Sequence, residues 1–184
     1  SGADFEHLQR VSSAMVAQVR SLGRDLRAIS AGGGLPVPYR AGESRLDVAA
    51  YFDVWDAARR SIETELGHPV QLEIEPGRYL VAEAGIYVCE VVDKKVSRGE
   101  TFLVTNGGLH HHLAASGNFG QVIRKNYPVA IGTAMGRAQC AVQSVVGPLC
   151  TPLDLLADRM DLAVARPGDL VVVFQSGAYG ATAS

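Results

Sequence analysis

No stretch of this chain is apolar for long enough to cross a membrane, since nothing approaches the roughly 20 apolar residues of a transmembrane helix. The opening Ser1-Gly-Ala-Asp-Phe-Glu-His has neither a basic segment nor an apolar core, so a secretory signal is not expected. An excess of one charge is also missing. Seventeen Lys and Arg against 19 Asp and Glu leave a net charge of -2, which gives no electrostatic reason to expect nucleic acid or an anionic membrane as partner. Cysteine is scarce: Cys89, Cys140 and Cys150 are an odd number with no CxxC spacing, as expected of reduced thiols in a cytoplasmic protein. What is present is a globular composition, 47% hydrophobic and 20% charged over 184 residues, long enough for a sizeable core.

The first part of the chain alternates helix and strand. Leu8, Val11, Met15, Val19 and Leu22 recur at three- and four-residue steps, which predicts a helix over 4–22 closed by Gly23. A short strand, Leu26 to Ser30, runs into Ala31-Gly-Gly-Gly-Leu-Pro36, which cannot be regular structure. A second helix is expected from about Leu46 to Leu66, with Ala50, Val54, Ala58, Ile62 and Leu66 along one stripe and Gly67 ending it. Val70 to Ile74 is the next strand. This is the grammar of parallel βα units.

After Gly85 the grammar changes. Residues 86–96, 101–105, 140–146 and 170–174 read as strands separated by turns such as Ser97-Arg-Gly-Glu and Arg166-Pro-Gly-Asp, which predicts an antiparallel β domain. Leu113 to Gln139, with Gly117, Gly120, Gly132 and Gly136, has weak periodicity and reads as a long loop.

Several clusters could carry chemistry. Gly32-Gly33-Gly34 follows a strand and could form an anion nest from its N–H groups, although a glycine triplet is equally a flexible βα loop. Glu75-Pro-Gly-Arg78 ends the next strand. If that strand is parallel to the first, both turns lie on one rim, and Arg78 can fork onto phosphate oxygens there. Glu75 needs a different role, because a carboxylate repels phosphate. Beside a ring nitrogen it would hold that nitrogen protonated, the arrangement that keeps a pyridoxal phosphate ring electron-poor. Alternatively it pairs with Arg78 at the surface. Cys150 and Asp154 flank a Pro turn, and Tyr179 ends the last strand among small residues. His110-His111-His112, if extended, would put His110 and His112 on one face, yet no third ligand is suitably spaced for zinc. Hydrogen bonding to a substrate or a neighbouring loop suits His111 and His112 better.

Taken in order, the glycine triplet, Glu75-Pro-Gly-Arg78 with Ala82-Glu-Ala-Gly85, Asn106-Gly-Gly108, Gly147-Pro-Leu-Cys150 and Gly177-Ala-Tyr179 resemble the fold-type III pyridoxal-phosphate decarboxylases, the diaminopimelate and ornithine decarboxylase family. The resemblance extends over nearly the whole chain from Leu26. It implies an α/β plus β architecture: the C-terminal part of a (β/α)8 barrel over 1–85, then a C-terminal β domain over 86–184 that returns toward the barrel. It implies pyridoxal 5'-phosphate as cofactor and a homodimer with shared active sites. It also implies decarboxylation of an amino acid, free or bound to a carrier protein. By the same resemblance Gly33, Gly34, Gly77, Arg78 and Tyr179 would hold the cofactor phosphate, and Glu75 would contact the pyridine nitrogen. Cys150 would enter the partner's site at the protonation step, and Asp154 would face the substrate.

Two departures are informative. Thr151-Pro152 follow the motif cysteine where diaminopimelate decarboxylases typically carry an acidic residue, and residues 107–121 differ from the usual pattern. Both features are closer to the subgroup with exosortase-associated and carrier-protein-linked amino acid decarboxylases. In addition, the family's cofactor-attaching lysine and ring-stacking histidine lie early in the barrel, and Lys94, Lys95 and Lys125 match neither motif. The chain therefore reads as an incomplete portion of the enzyme, inactive alone. The alternative is a catalytically silent, truncated relative acting as a dimerisation partner.

Overall fold

Helix α1 spans Phe5–Leu22, and strand β1, Ala28–Ser30, follows it. The computed structural model describes residues 5–39, 42–119 and 124–184; Gly120 and Gln121, noted above, lie outside them. The chain divides into two units, residues 1–80 and 81–184. In the first, α2 (Val48–Leu66) is started by Asp47, whose carboxylate accepts the Ala50 N–H at 3.0 Å. It is stopped by Gly67 at φ 74°, whose N–H donates to the Glu63 carbonyl at 2.8 Å. Strand β2, Gln71–Glu73, pairs parallel with β1 in the register Ile29 to Leu72.

The buried stripe of α2 is Tyr51, Trp55, Ala58 and Ile62, turned by one residue from the expected Ala50–Val54–Ala58 line. The reason is area. Burying Trp55 and Tyr51 removes far more apolar surface from water than burying Ala50 and Val54. In α1, Ser12 and Val16 are buried, while Val11 and Leu22 of the expected stripe are exposed. The core of this unit gathers Val16, Ile29, Leu35, Leu46, Trp55, Ile62 and Val70.

The second unit is one six-stranded sheet in the order β5-β8-β3-β4-β6-β7. Its strands are β3 (Tyr87–Ser97), β4 (Glu100–Thr105), β5 (Val129–Ile131), β6 (Cys140–Val146), β7 (Leu155–Ala163) and β8 (Leu170–Val173). The expected all-antiparallel arrangement is corrected by β4 and β6, which pair parallel. Between them the chain runs through the 106–139 segment, long enough to return to the same end of the sheet. The edge strands β5 and β7 approach each other, so the mixed sheet nearly closes into a barrel. Cys89, Val91, Leu103, Val145, Leu156 and Val171 fill its interior.

Strands β5 and β7 are absent from the sequence-based expectation. Strand β5 is three residues long, too short for any period, and is held by β8. Strand β7 carries Arg159 at φ 44° opposite register shifts at Gln143/Val145/Val146, which disturb simple alternation. The division at Leu80 falls before Gly85 because residues 82–85 are tied to the last turn of the second unit. Gly177 N–H donates to the Ala82 carbonyl at 3.1 Å and Ser176 N–H to the Gly85 carbonyl at 2.9 Å.

Candidate functional site

Parallel pairing of β1 and β2 puts their carboxyl-terminal turns side by side. The Ala31 N–H donates to the Glu73 carbonyl at 2.9 Å, and the Glu75 N–H donates to the Gly32 carbonyl at 2.8 Å. A Cβ on Gly33 would stand 2.5 Å from the Glu75 carbonyl oxygen, so only glycine permits this approach. Gly32 and Gly34 have φ of 66° and 85°, the left-handed conformation of backbone nests. Gly33 and Gly34 are exposed, as is Gly77 on the adjoining turn. The Arg78 guanidinium donates to the Tyr39 hydroxyl, and its Cζ lies 5.7 Å from the Tyr39 ring centre. The loop that leaves the glycine triplet thus returns to touch Arg78. Glu75 is exposed and takes a 2.6 Å hydrogen bond on Oε1 from Ser30, which no motif had marked.

This rim fits a phosphate ester carrying a basic ring. It offers unhindered N–H groups, a guanidinium fixed by an aromatic ring, and one carboxylate that is not paired to that guanidinium. Among the described residues, no group of His, Cys, Asp and Glu is arranged to hold a metal ion. None of the described helices is long and apolar enough to cross a membrane.

The remaining candidates stand in the second unit. Asp154 is 3% exposed, and both its oxygens are occupied: Oδ1 accepts the Leu109 N–H at 2.6 Å and Oδ2 the Leu149 N–H at 2.8 Å. A Cβ on Gly108 or on Gly147 would come within 2.3 Å of that carboxylate. These two glycines of the sequence motifs therefore make room for Asp154, which anchors the His110–His112 turn and the loop bearing Cys150. The Cys150 thiol is free and exposed.

The His110–His112 run is a turn, not the extended segment considered above. His111 and His112 N–H groups both donate to the Gly108 carbonyl, at 2.9 and 3.0 Å. His112 is fully buried, and its Nδ1 accepts the Ala115 N–H at 3.2 Å. The proton therefore sits on Nε2, which donates a hydrogen bond to Ser176 Oγ at 2.9 Å, while the Ser176 hydroxyl donates to the Val173 carbonyl at 2.8 Å. Burial pushes the His112 pKa down, so the ring is neutral.

His111 is exposed. Its Nδ1 lies 3.2 Å from the Tyr87 hydroxyl, whose pKa is raised chiefly by burial. A Cβ on Gly107 would collide with that hydroxyl, which accounts for the remaining glycine of Asn106-Gly-Gly108. Tyr179 has φ 59° and is partly exposed, with its ring centre 5.6 Å from that of Phe119.

Residues 14–177 match the family model described as pyridoxal-dependent decarboxylase, C-terminal sheet domain. The chain is 45% identical over 194 residues to a diaminopimelate decarboxylase of Streptomyces coelicolor, covering 100% of this chain and 43% of that protein. It is 41% identical over 156 residues to the L-glutamyl-[BtrI acyl-carrier protein] decarboxylase of Niallia circulans, covering 83% of this chain and 36% of the relative. A crystal structure of diaminopimelate decarboxylase superposes with a TM-score of 0.87 at 37% identity, over 98% of this chain and 44% of the other. The chain thus spans less than half the length of the relatives it matches.

Proposed function

Because this chain belongs to the fold-type III pyridoxal-dependent decarboxylases and carries their C-terminal sheet domain, we propose that it is the C-terminal portion of an enzyme that removes the α-carboxylate of an amino acid. Residues 1–80 are read as two successive βα steps of a (β/α)8 barrel, where ligands bind at the carboxyl ends of the strands. The observation that carries the proposal is the contact of Gly33 with the Glu75 backbone, which makes one rim of two turns.

Pyridoxal phosphate, when bound, supplies an electron-poor ring that takes up the electron pair of the breaking bond. In this reading Gly33, Gly34 and Gly77 offer exposed backbone to the phosphate, and Arg78 would fork onto its oxygens. Glu75 holds a proton on the pyridine nitrogen by charge pairing. Tyr179 is assigned to the phosphate, and Cys150 to protonation in a partner subunit's site, by family resemblance. Asp154 serves the substrate indirectly, by setting the loops of Cys150 and His111.

The substrate class is a free or carrier-tethered α-amino acid, since relatives of both descriptions match the chain. Thr151-Pro152 after Cys150 favours the tethered kind. A homodimer in the cytoplasm is the corresponding assembly. The alternative reading is a catalytically silent dimerisation partner.

Titrating the chain with pyridoxal phosphate tests the site. Replacing Arg78→Ala is expected to weaken binding by about tenfold or more, as loss of a charge-assisted contact does. Borohydride reduction is expected to leave Lys94, Lys95 and Lys125 unmodified by mass spectrometry. An unchanged affinity, or a stoichiometric pyridoxyl group on one of these lysines, contradicts the proposal. Carbon dioxide release from free and carrier-tethered glutamate, ornithine and diaminopimelate, measured with the chain completed by a lysine-bearing barrel half, separates enzyme from silent partner. In that assay Cys150→Ala is expected to slow turnover or misdirect protonation.

A further inference from the structure

Ser30 is the last residue of β1, on the strand face opposite buried Ile29. Its single hydroxyl donates to Glu75 Oε1 at 2.6 Å and accepts the Gly32 N–H at 3.0 Å. The backbone repeats the link, with the Glu75 N–H donating to the Gly32 carbonyl at 2.8 Å. One side chain therefore joins the acid to the glycine turn. Among the described residues Glu75 Oε2 makes no hydrogen bond, so engagement of Oε1 alone leaves the second oxygen for a ligand N–H. Glu75 is exposed, and an exposed glutamate otherwise samples several rotamers.

We infer that Ser30 is a positioning residue for the cofactor ring: its hydroxyl aims Glu75 from the glycine turn, so that the acid for the pyridine nitrogen and the turn for the phosphate keep one spacing. The inference rests on the cofactor reading above and adds to it the residue that sets the geometry. Nothing in local strand formation requires a hydroxyl here, since Ser is no better a strand former than Val or Thr. The hydroxyl is explained by the two partners it joins.

The isosteric pair Ser30→Val and Ser30→Thr tests this. Both residues are β-branched strand formers, so β1 is retained, and only Thr keeps the hydroxyl. Without ligand, Gly32 amide hydrogen exchange is expected to quicken about tenfold in Ser30→Val and to stay near wild type in Ser30→Thr. Pyridoxal phosphate and benzyl phosphate, which lacks the ring nitrogen, are then titrated. Ser30→Val is expected to weaken pyridoxal phosphate about tenfold and benzyl phosphate hardly at all, with Thr restoring the difference. Equal losses for both ligands would mean that the hydroxyl only shapes the phosphate turn, and would overturn the inference. So would a Val variant indistinguishable from Thr. A wild-type chain that binds neither compound overturns the cofactor reading itself, and this inference with it. That failure is distinguishable, because the Gly32 exchange is read in the absence of ligand.

Discussion

Single residues here are best understood by what they fill or satisfy. Asp154 reads as substrate-facing in the sequence because it stands at the end of the cysteine motif, yet its two oxygens are spent on the Leu109 and Leu149 N–H groups. A carboxyl group offers an acceptor oxygen at both positions and a side-chain amide at only one, and that difference yields a discriminating prediction. Asp154→Asn keeps the volume but must turn an NH2 donor toward one of those N–H groups. It is expected to destabilise the second unit by about 2–4 kcal/mol, close to Asp154→Ala, as measured by urea unfolding. A near-neutral Asn variant would show that the two donors are easily satisfied otherwise. Gly107, Gly108 and Gly147 have the matching role, since each is small where the Tyr87 hydroxyl or the Asp154 carboxylate needs room. The glycines were legible as motif letters. Their reason was not, because the groups they accommodate are distant in sequence.

Among the elements, helix stops were the easiest to read and strand partners the hardest. Gly67 acts within a single turn of α2, so its effect is written locally, whereas the start expected at Leu46 is set by the Asp47 cap, which leaves Val48 as the first helical residue. The pairing of β4 with β6, or of β5 with β8, depends on residues tens of positions apart and leaves no local trace. The most demanding junction is that of Gly85 with Gly177. A Cβ on Gly177 would lie 1.7 Å from the Val81 carbonyl oxygen, and one on Gly85 would lie 2.7 Å from Gly177 Cα. Gly177→Ala is therefore expected to cost at least about 2 kcal/mol and to release the amide protection of Ser176 and Gly177 in hydrogen exchange. Retention of that protection with unchanged stability would mean the backbones can part cheaply.

For the molecule as a whole, two histidines give its units opposite responses to pH. His68 Nδ1 faces the Pro69 carbonyl at 2.9 Å and its Nε2 faces the Asp25 carboxylate, both acceptors, so the ring carries two protons. The Pro69 carbonyl first, then Asp25, raise the His68 pKa, while the His68 hydrogen bond lowers that of Asp25. A raised histidine pKa contributes stability that is complete below the unfolded value of about 6.5 and is lost as pH rises through the folded value. His112, depressed by burial, behaves oppositely: its contribution is complete above about 6.5 and is lost as pH falls toward its folded value. Trp55, the single tryptophan, reports the first unit, and amide exchange in β4 and β8 reports the second. As pH rises, the first unit is therefore expected to weaken only above about 6.5, whereas the second is expected to strengthen only up to about 6.5. His68→Gln should flatten the first trend and His112→Gln the second. Parallel trends in both units would refute the assignment.

Composition, periodicity and turn residues were enough to establish helices α1 and α2 and strands β1 to β4, β6 and β8 in their order, the change from βα to β grammar, and the membership carried by five ordered motifs. All of these depend on interactions within a few residues or on residue identity alone. Which face of α2 is buried, the parallel step in the second sheet, the turn at His110–His112 and the anchoring of two loops by Asp154 depended on packing. Each is a contest between distant groups for the same space or the same hydrogen bond, and only the folded chain brings those competitors together.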